Sequence, residues 1–161
     1  MKKKIISHTL LSLTLLLLSG CTEQSKTEFK GLTYGFKEPS NFPFEVNSVS
    51  TTIDAEQVDY LHQFVFHYRN NETTQQINYI LSKVLEEPKA NHVSKDGKKE
   101  YKLNNGILAF YEEDSTSQSL WWETKDGFLA RYIYYIDGNT RNLDLYRLEI
   151  EALVDLANQV Q

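Results

Sequence analysis

KKEYKLNNGILAFYEE (residues 98–113) consists of two runs of alternating apolar and polar residues separated by Asn105-Gly106. Asn-Gly between such runs is a strong short-range mark of a β-hairpin, because both residues tolerate the positive φ that a two-residue turn requires. That loop length sets Leu103 opposite Leu108 and Tyr101 opposite Phe110 on one side of the pair. Glu100 and Lys102 then share the other side with Ala109 and Tyr111. SLWWETKDGFLARYIYYIDG (119–138) repeats the pattern around Asp126-Gly127. The same loop sets Trp122 opposite Arg131 and Trp121 opposite Tyr132. Leu120, Trp122, Leu129 and Ile133 fall on one face, and Trp121, Phe128, Ala130, Tyr132 and Tyr134 on the other. Both faces are apolar, so both require cover.

Outward from these hairpins, YLHQFVFHYR (60–69) alternates strictly, with Tyr60, His62, Phe64, Phe66 and Tyr68 on one aromatic face. It reads as a strand. QQINYILSKVL (75–85) fits either period: Ile77, Ile80, Leu81, Val84 and Leu85 make a helical stripe, while Ile77, Tyr79 and Leu81 make a strand face. Neighbouring strands and the nearby Pro88 favour strand. Leu145, Leu148, Ala152, Leu153, Leu156, Ala157 and Val160 recur at helical spacing from about Asp144 to Gln159, with Glu149, Glu151 and Asp155 on the solvated side. EPSNFPF (38–44) reads as an irregular crossing near the start of the domain. The fold class expected is α+β: a single domain with a curved antiparallel meander sheet packed against a C-terminal helix.

The N-terminus carries a different signal. Lys2, Lys3 and Lys4 precede Ile5 to Leu18, a mostly apolar run that is short of the roughly 20 residues a membrane-spanning helix needs. It fits the middle of an export signal. Leu18-Ser19-Gly20-Cys21 then resembles the bacterial lipobox, and Cys21 is the only cysteine in the chain. The resemblance implies a diacylglyceryl group on the Cys21 sulfur and cleavage just before it, with membrane attachment through those acyl chains. The alternative is a secreted protein with a chance cysteine, whose free thiol would invite intermolecular pairing in an oxidising compartment. Residues 1–20 are thus expected as a lipoprotein signal peptide, 21–31 as the lipidated N-terminus and a flexible tether, and 32–161 as the globular domain. A coil over TEQSKTEFKG (22–31) reaches roughly 15–20 Å.

Without residues 1–20 the chain keeps 14 of its 17 basic residues against 22 acidic ones. Such a balance opposes nucleic acid as a partner, since binding it depends on neutralising phosphates. It opposes a polybasic clamp on anionic lipid too. The length is ample for one domain with its own core, and the ten Tyr, eight Phe and two Trp lean towards sheet.

The order of elements resembles an uncharacterised envelope domain found in Gram-positive lipoproteins and in the extracytoplasmic parts of anti-sigma-like membrane proteins. The residues that carry the resemblance run from Tyr101 to Tyr111, then Leu120-Trp121-Trp122-Glu123, Asp126-Gly127, and the final Leu156-Ala157-Asn158. It implies a curved antiparallel sheet on a helix at the outer membrane face, and it carries no catalytic residue across.

Chemistry-bearing patterns are sparse. His62 and His67 point to opposite faces of one strand and cannot share a metal ion; His92 lies in a polar stretch. Glu112-Glu113-Asp114 lacks the glycine and spacing of a calcium loop. No serine stands in G-x-S-x-G or S-x-x-K, and no phosphate-cradling glycine loop is present. No cofactor and no metal is expected. Glu123 and Asp126 flank a turn. The remaining constellation is aromatic: Trp121, Trp122, Tyr132 and Tyr134, with Tyr135 beside them, are candidates to bind an envelope protein, a peptide, or an acyl or glycan ligand. Core packing is the competing reading, and Trp122 over Arg131 would make a cation–π pair. Three functions follow: a lipid-anchored, non-enzymatic binding or sensing module, a structural accessory subunit of a membrane complex, or an envelope hydrolase using unrecognised Asp, Glu or His. Cys21→Ser is expected to abolish metabolic lipid labelling and leave the product uncleaved or released; normal labelling of that variant would exclude the lipobox reading.

Overall fold

Strict alternation from Leu61 onward builds a sheet with one aromatic face. The computed structural model describes residues 24–29, 32–54, 61–85 and 97–161. Cys21 and the signal and lipidation readings lie outside the described residues, as does His92. The strands are β1 (Gln24–Phe29), β2 (Leu32–Lys37), β3 (Ser48–Asp54), β4 (Leu61–Arg69), β5 (Gln75–Val84), β6 (Lys99–Lys102), β7 (Leu108–Glu113), β8 (Ser117–Glu123) and β9 (Leu129–Ile136). Among the described residues one α-helix, α1, spans Ile150–Gln159. β3 to β9 form one antiparallel sheet in the order β3-β4-β5-β9-β8-β7-β6. It is two meanders, β3–β5 and β6–β9, joined where β5 pairs with β9. The domain is α+β, with the helix at its C-terminal end. The ambiguous 75–85 run is a strand because β5 is paired on both sides, by β4 and β9.

Registers align the core side chains in rows across the sheet. One row runs Phe66, Tyr79, Tyr132, Leu120 and Tyr111, and the next runs Phe64, Leu81, Ala130, Trp122 and Ala109. Tyr79 packs against both Trp122 and Tyr132, with ring centroids 6.2 and 4.8 Å away. A fully buried large apolar side chain contributes about 1.5–3 kcal/mol, so these rows dominate the stability. Leu153, Leu156 and Ala157 of α1 join the same core. Phe36 of β2 adds to it, 4.9 Å from Phe64. Residues 38–47 cross as an irregular segment, with Phe42 4.6 Å from Tyr68 and Phe44 6.0 Å from Tyr134. Gln159 fastens this crossing, its Oε1 accepting from the Ser40 and Asn41 amides.

Four expectations change. Gln24–Phe29, read as part of a coil tether, is strand β1 paired with β2; main-chain bonding needs no apolar period. The helix begins at Ile150 rather than near Asp144, and Leu145 is fully exposed. The cause lies in the sheet: buried Gln118 accepts the Leu148 amide at Oε1 and donates from Nε2 to the Leu148 carbonyl, both at 2.8 Å. Tyr134 donates to the Tyr146 carbonyl at 2.7 Å, and the Leu143 amide donates to Ser115 at 2.9 Å. These bonds hold 143–148 against the strands with a single 3-10 turn at Asp144–Tyr146, and only beyond them does the chain turn α-helical.

Both hairpins are also shifted by one residue from the two-residue-loop reading. Tyr101 pairs with Ala109, and Trp122 pairs with Ala130. Each loop has three residues, Asn104-Asn105-Gly106 and Lys125-Asp126-Gly127. Each is closed by the same two bonds, Leu103 N–H to Ile107 and Gly106 N–H to Leu103, then Thr124 N–H to Phe128 and Gly127 N–H to Thr124. The glycines take the left-handed position at φ +87° and +75° that a three-residue hairpin requires. An added Cβ would meet nothing within 4 Å at Gly127, and only the Lys102 Cε at 3.9 Å at Gly106, so the cost of replacing them is conformational. Gly106→Ala and Gly127→Ala are each expected to destabilise the fold by about 1–2 kcal/mol, read as a lowered urea midpoint with an unchanged slope.

Candidate functional site

The corrected register separates the four aromatic candidates. Trp122, Tyr132 and Tyr134 are all fully buried on the core face, so they form no open binding surface. Trp122 packs on Tyr132 at 5.3 Å, and Tyr134 is engaged by the Gln75 amide and the Tyr146 carbonyl. Burial raises the Tyr132 and Tyr134 hydroxyls above the ordinary phenol range, which keeps both as neutral donors. Tyr135 points to the opposite face, where its hydroxyl accepts from the Asn78 amide at 3.1 Å.

Trp121 lies on that opposite face too, and it is buried there, 7% exposed, as is Phe110. It pairs with Arg131 across β8–β9 and stacks on Phe110 of β7 with centroids 4.5 Å apart. The cation over its ring is Lys98, at 5.0 Å, rather than an arginine over Trp122. Arg131 instead donates to Ser119 Oγ at 2.7 Å and to Glu112 at 3.0 Å, and Lys98 reaches the other Glu112 oxygen at 3.1 Å. Neither indole N–H has a hydrogen-bond partner, so both tryptophans act through ring volume. Around Trp121 and Phe110, Ile107, Leu108, Glu123 and Lys125 line a shallow depression of about 430 Å³. Leu108 is 46% exposed there.

Phe110 and Leu108 escaped the sequence reading because a two-residue loop turned Phe110 towards Leu103 and Tyr101. No local signal separates the two turn lengths here, since Asn-Gly and Asp-Gly suit both.

A second opening lies over the end of β4. Glu38, Phe42, Phe44, Val46, Val49 and Tyr68 line a cleft of about 610 Å³. Tyr68 donates to Glu38 at 2.5 Å, and burial first, then this carboxylate, pushes the Tyr68 hydroxyl far above the phenol range. Tyr68 is therefore a fixed donor and not a base. His62 is buried, 2.6 Å from the Tyr34 hydroxyl, while half-buried His67 bonds to Asn78 and Thr52 on the other face. No cluster of three or more His, Cys, Asp or Glu among the described residues is placed to hold a metal ion. No helix among them is long and apolar enough to cross a membrane. No family model, curated protein or solved structure matches the chain.

The acidic run 112–114 is bonded rather than free in solvent. Besides Glu112, Glu113 accepts from Tyr111 at 2.8 Å and forms an ion pair with Arg147, and Asp114 accepts the Thr116 and Ser117 amides at 2.7 Å. The Tyr111 hydrogen bond, and then Arg147, hold the Glu113 carboxyl below its ordinary value. The two amides do the same for Asp114. Burial pushes the Tyr111 hydroxyl up to about 12. Because folding lowers both carboxyls, the stability they contribute is complete above their unfolded values near pH 4 and is lost as pH falls through the lower folded values. Thermal melts below about pH 4 should show that acid limb. Glu113→Gln should make it shallower, and an unchanged limb would remove Glu113 from the account.

Proposed function

We propose that this chain is a lipid-anchored, non-enzymatic binding module at the outer face of a bacterial membrane, engaging an envelope protein or peptide through the Leu108–Phe110–Trp121 corner. The observation that supports binding is this corner itself. A sheet needs only one apolar face to build the core, yet Phe110 and Trp121, themselves buried at 4% and 7%, stack on the other with Leu108, 46% exposed, beside them. The depression is open and shallow, with Glu123 and Lys125 at its margin, which suits a protein or peptide surface better than an enclosed acyl or glycan ligand. The anchor rests on the lipobox resemblance of Leu18-Ser19-Gly20-Cys21. Two acyl chains hold a protein at a bilayer where one is marginal. An accessory subunit of a membrane complex would use the same corner with a permanent partner.

The test places a photo-activatable benzoylphenylalanine at position 108 of the full-length protein in intact cells, with position 151 on the exposed face of α1 as comparison. A discrete adduct from 108, absent from 151 and lost with Trp121→Ala, is the expected result. Equal labelling from both positions, or an adduct indifferent to Trp121, would reject the corner as the binding surface.

A further inference from the structure

The two edges of the seven-stranded sheet are built differently. β6 is four residues long, and Lys99, Glu100 and Lys102 are charged. Short, lysine-bearing edges discourage the addition of another strand. β3, at the other edge, reads Ser-Val-Ser-Thr-Thr-Ile-Asp and holds no lysine, proline or glycine. It pairs with β4 along its whole length, and among the described residues no strand pairs with its other side. Val49 is 60% and Ile53 39% exposed, and the residues between them are exposed as well. Backbone N–H and C=O groups along such an edge are a template for a further strand.

We propose that β3 is a self-pairing edge, where two copies of this chain join antiparallel about a two-fold axis through Thr51. In that register Ser48 faces Asp54, Val49 faces Ile53, Ser50 faces Thr52, and Thr51 faces its own copy. The exposed apolar residues of β3 therefore meet each other twice, and all seven residues pair. A shift by two residues sets Val49 against Thr51 and Ile53 against Asn47, which breaks both apolar pairs. Charge agrees with the centred register. Asp54 of one copy falls in the row of Ser48 and its β4 neighbour Arg69, which is exposed, and no like charges meet. Self-complementarity about a two-fold axis is what an isologous dimer requires, and an unrelated strand has no reason to match it. β4, β5 and β9 stand between β3 and β8, so this dimer leaves the Trp121 corner open and stands independently of the function proposed above.

Facing residues of an antiparallel pair have Cα atoms about 4.5–5.5 Å apart, within reach of a disulfide. Thr51→Cys in the full-length chain should therefore give a disulfide-linked dimer on mild oxidation. We expect at least about tenfold more of it than from the wild-type chain or from Lys99→Cys on the other edge. Val49→Cys should not link to itself, because its copies lie four residues apart along the strands. Adding Ile53→Lys to Thr51→Cys should cut the dimer by about tenfold or more, by placing a charge on the edge. Linking of Thr51→Cys no better than Lys99→Cys would overturn the proposal. So would a Thr51→Cys adduct with a chain of different mass, or Val49→Cys linking to itself as well as Thr51→Cys does.

Discussion

Gly106 and Gly127, each in the left-handed region at the last position of a three-residue loop, set which side of the sheet the side chains of β6 to β9 face. Side chains along a strand alternate with period two, so one residue of slip exchanges the faces completely. With these loops Trp122, Ala130, Tyr132, Tyr134, Leu120 and Tyr111 point together into the core, and Phe110 and Trp121 point together away from it. A loop one residue shorter would set Trp122 against the guanidinium of Arg131. Burying an arginine without a carboxylate in reach is far costlier than a residue in a left-handed turn. The loop geometry and the core therefore support each other.

A second constraint follows from burying polar groups among those aromatics. Gln118 is almost wholly buried, and its amide is satisfied by the main chain of Leu148 and by the Tyr111 hydroxyl. Tyr134 is satisfied by Gln75 and the Tyr146 carbonyl. Side chains of the sheet thus act as main-chain partners for the segment before α1, which determines where the helix starts. The helix returns the constraint through Gln159, which holds the crossing segment that carries Phe42 and Phe44 over the core. Buried polar groups of this kind are costly when unpaired, so the cover over the core face closes as one unit.

The opposite face divides into two regions. Over β3 to β5 it carries a polar net beside Leu61, Val65, Ile80 and Val84, with Gln63 bonded to Ser82 and His67, Asn78, Gln76 and Thr52 joined in a chain of hydrogen bonds. Over β7 to β9 it is aromatic and charged, with Phe110 and Trp121 beside the Lys98–Glu112–Arg131 cluster. A net of satisfied amides and hydroxyls already has its partners, whereas at the corner Phe110 and Trp121 are already buried and Leu108 keeps apolar area to cover.

The amino-acid order by itself determined the strands from β4 to β9 and the helical stripe, but not β1 to β3. Alternation in 60–69 and 119–136, and the apolar stripe of 150–160, record which residues must leave water, and this is a local property of the chain. It also supplied the turn positions, since Asn105-Gly106 and Asp126-Gly127 mark where the backbone can take positive φ. Loop length was not determined locally: two- and three-residue turns accept the same Asn-Gly and Asp-Gly pairs, and only packing across four strands decided between them. For that reason Trp122 and Trp121, adjacent in sequence, were legible as facing opposite ways, while the tertiary structure alone decided which one entered the core. The start of α1 was decided in the same way, because the helical spacing from Leu145 onward competes with hydrogen bonds from Gln118 and Tyr134, which are distant in sequence and visible only once the sheet is assembled.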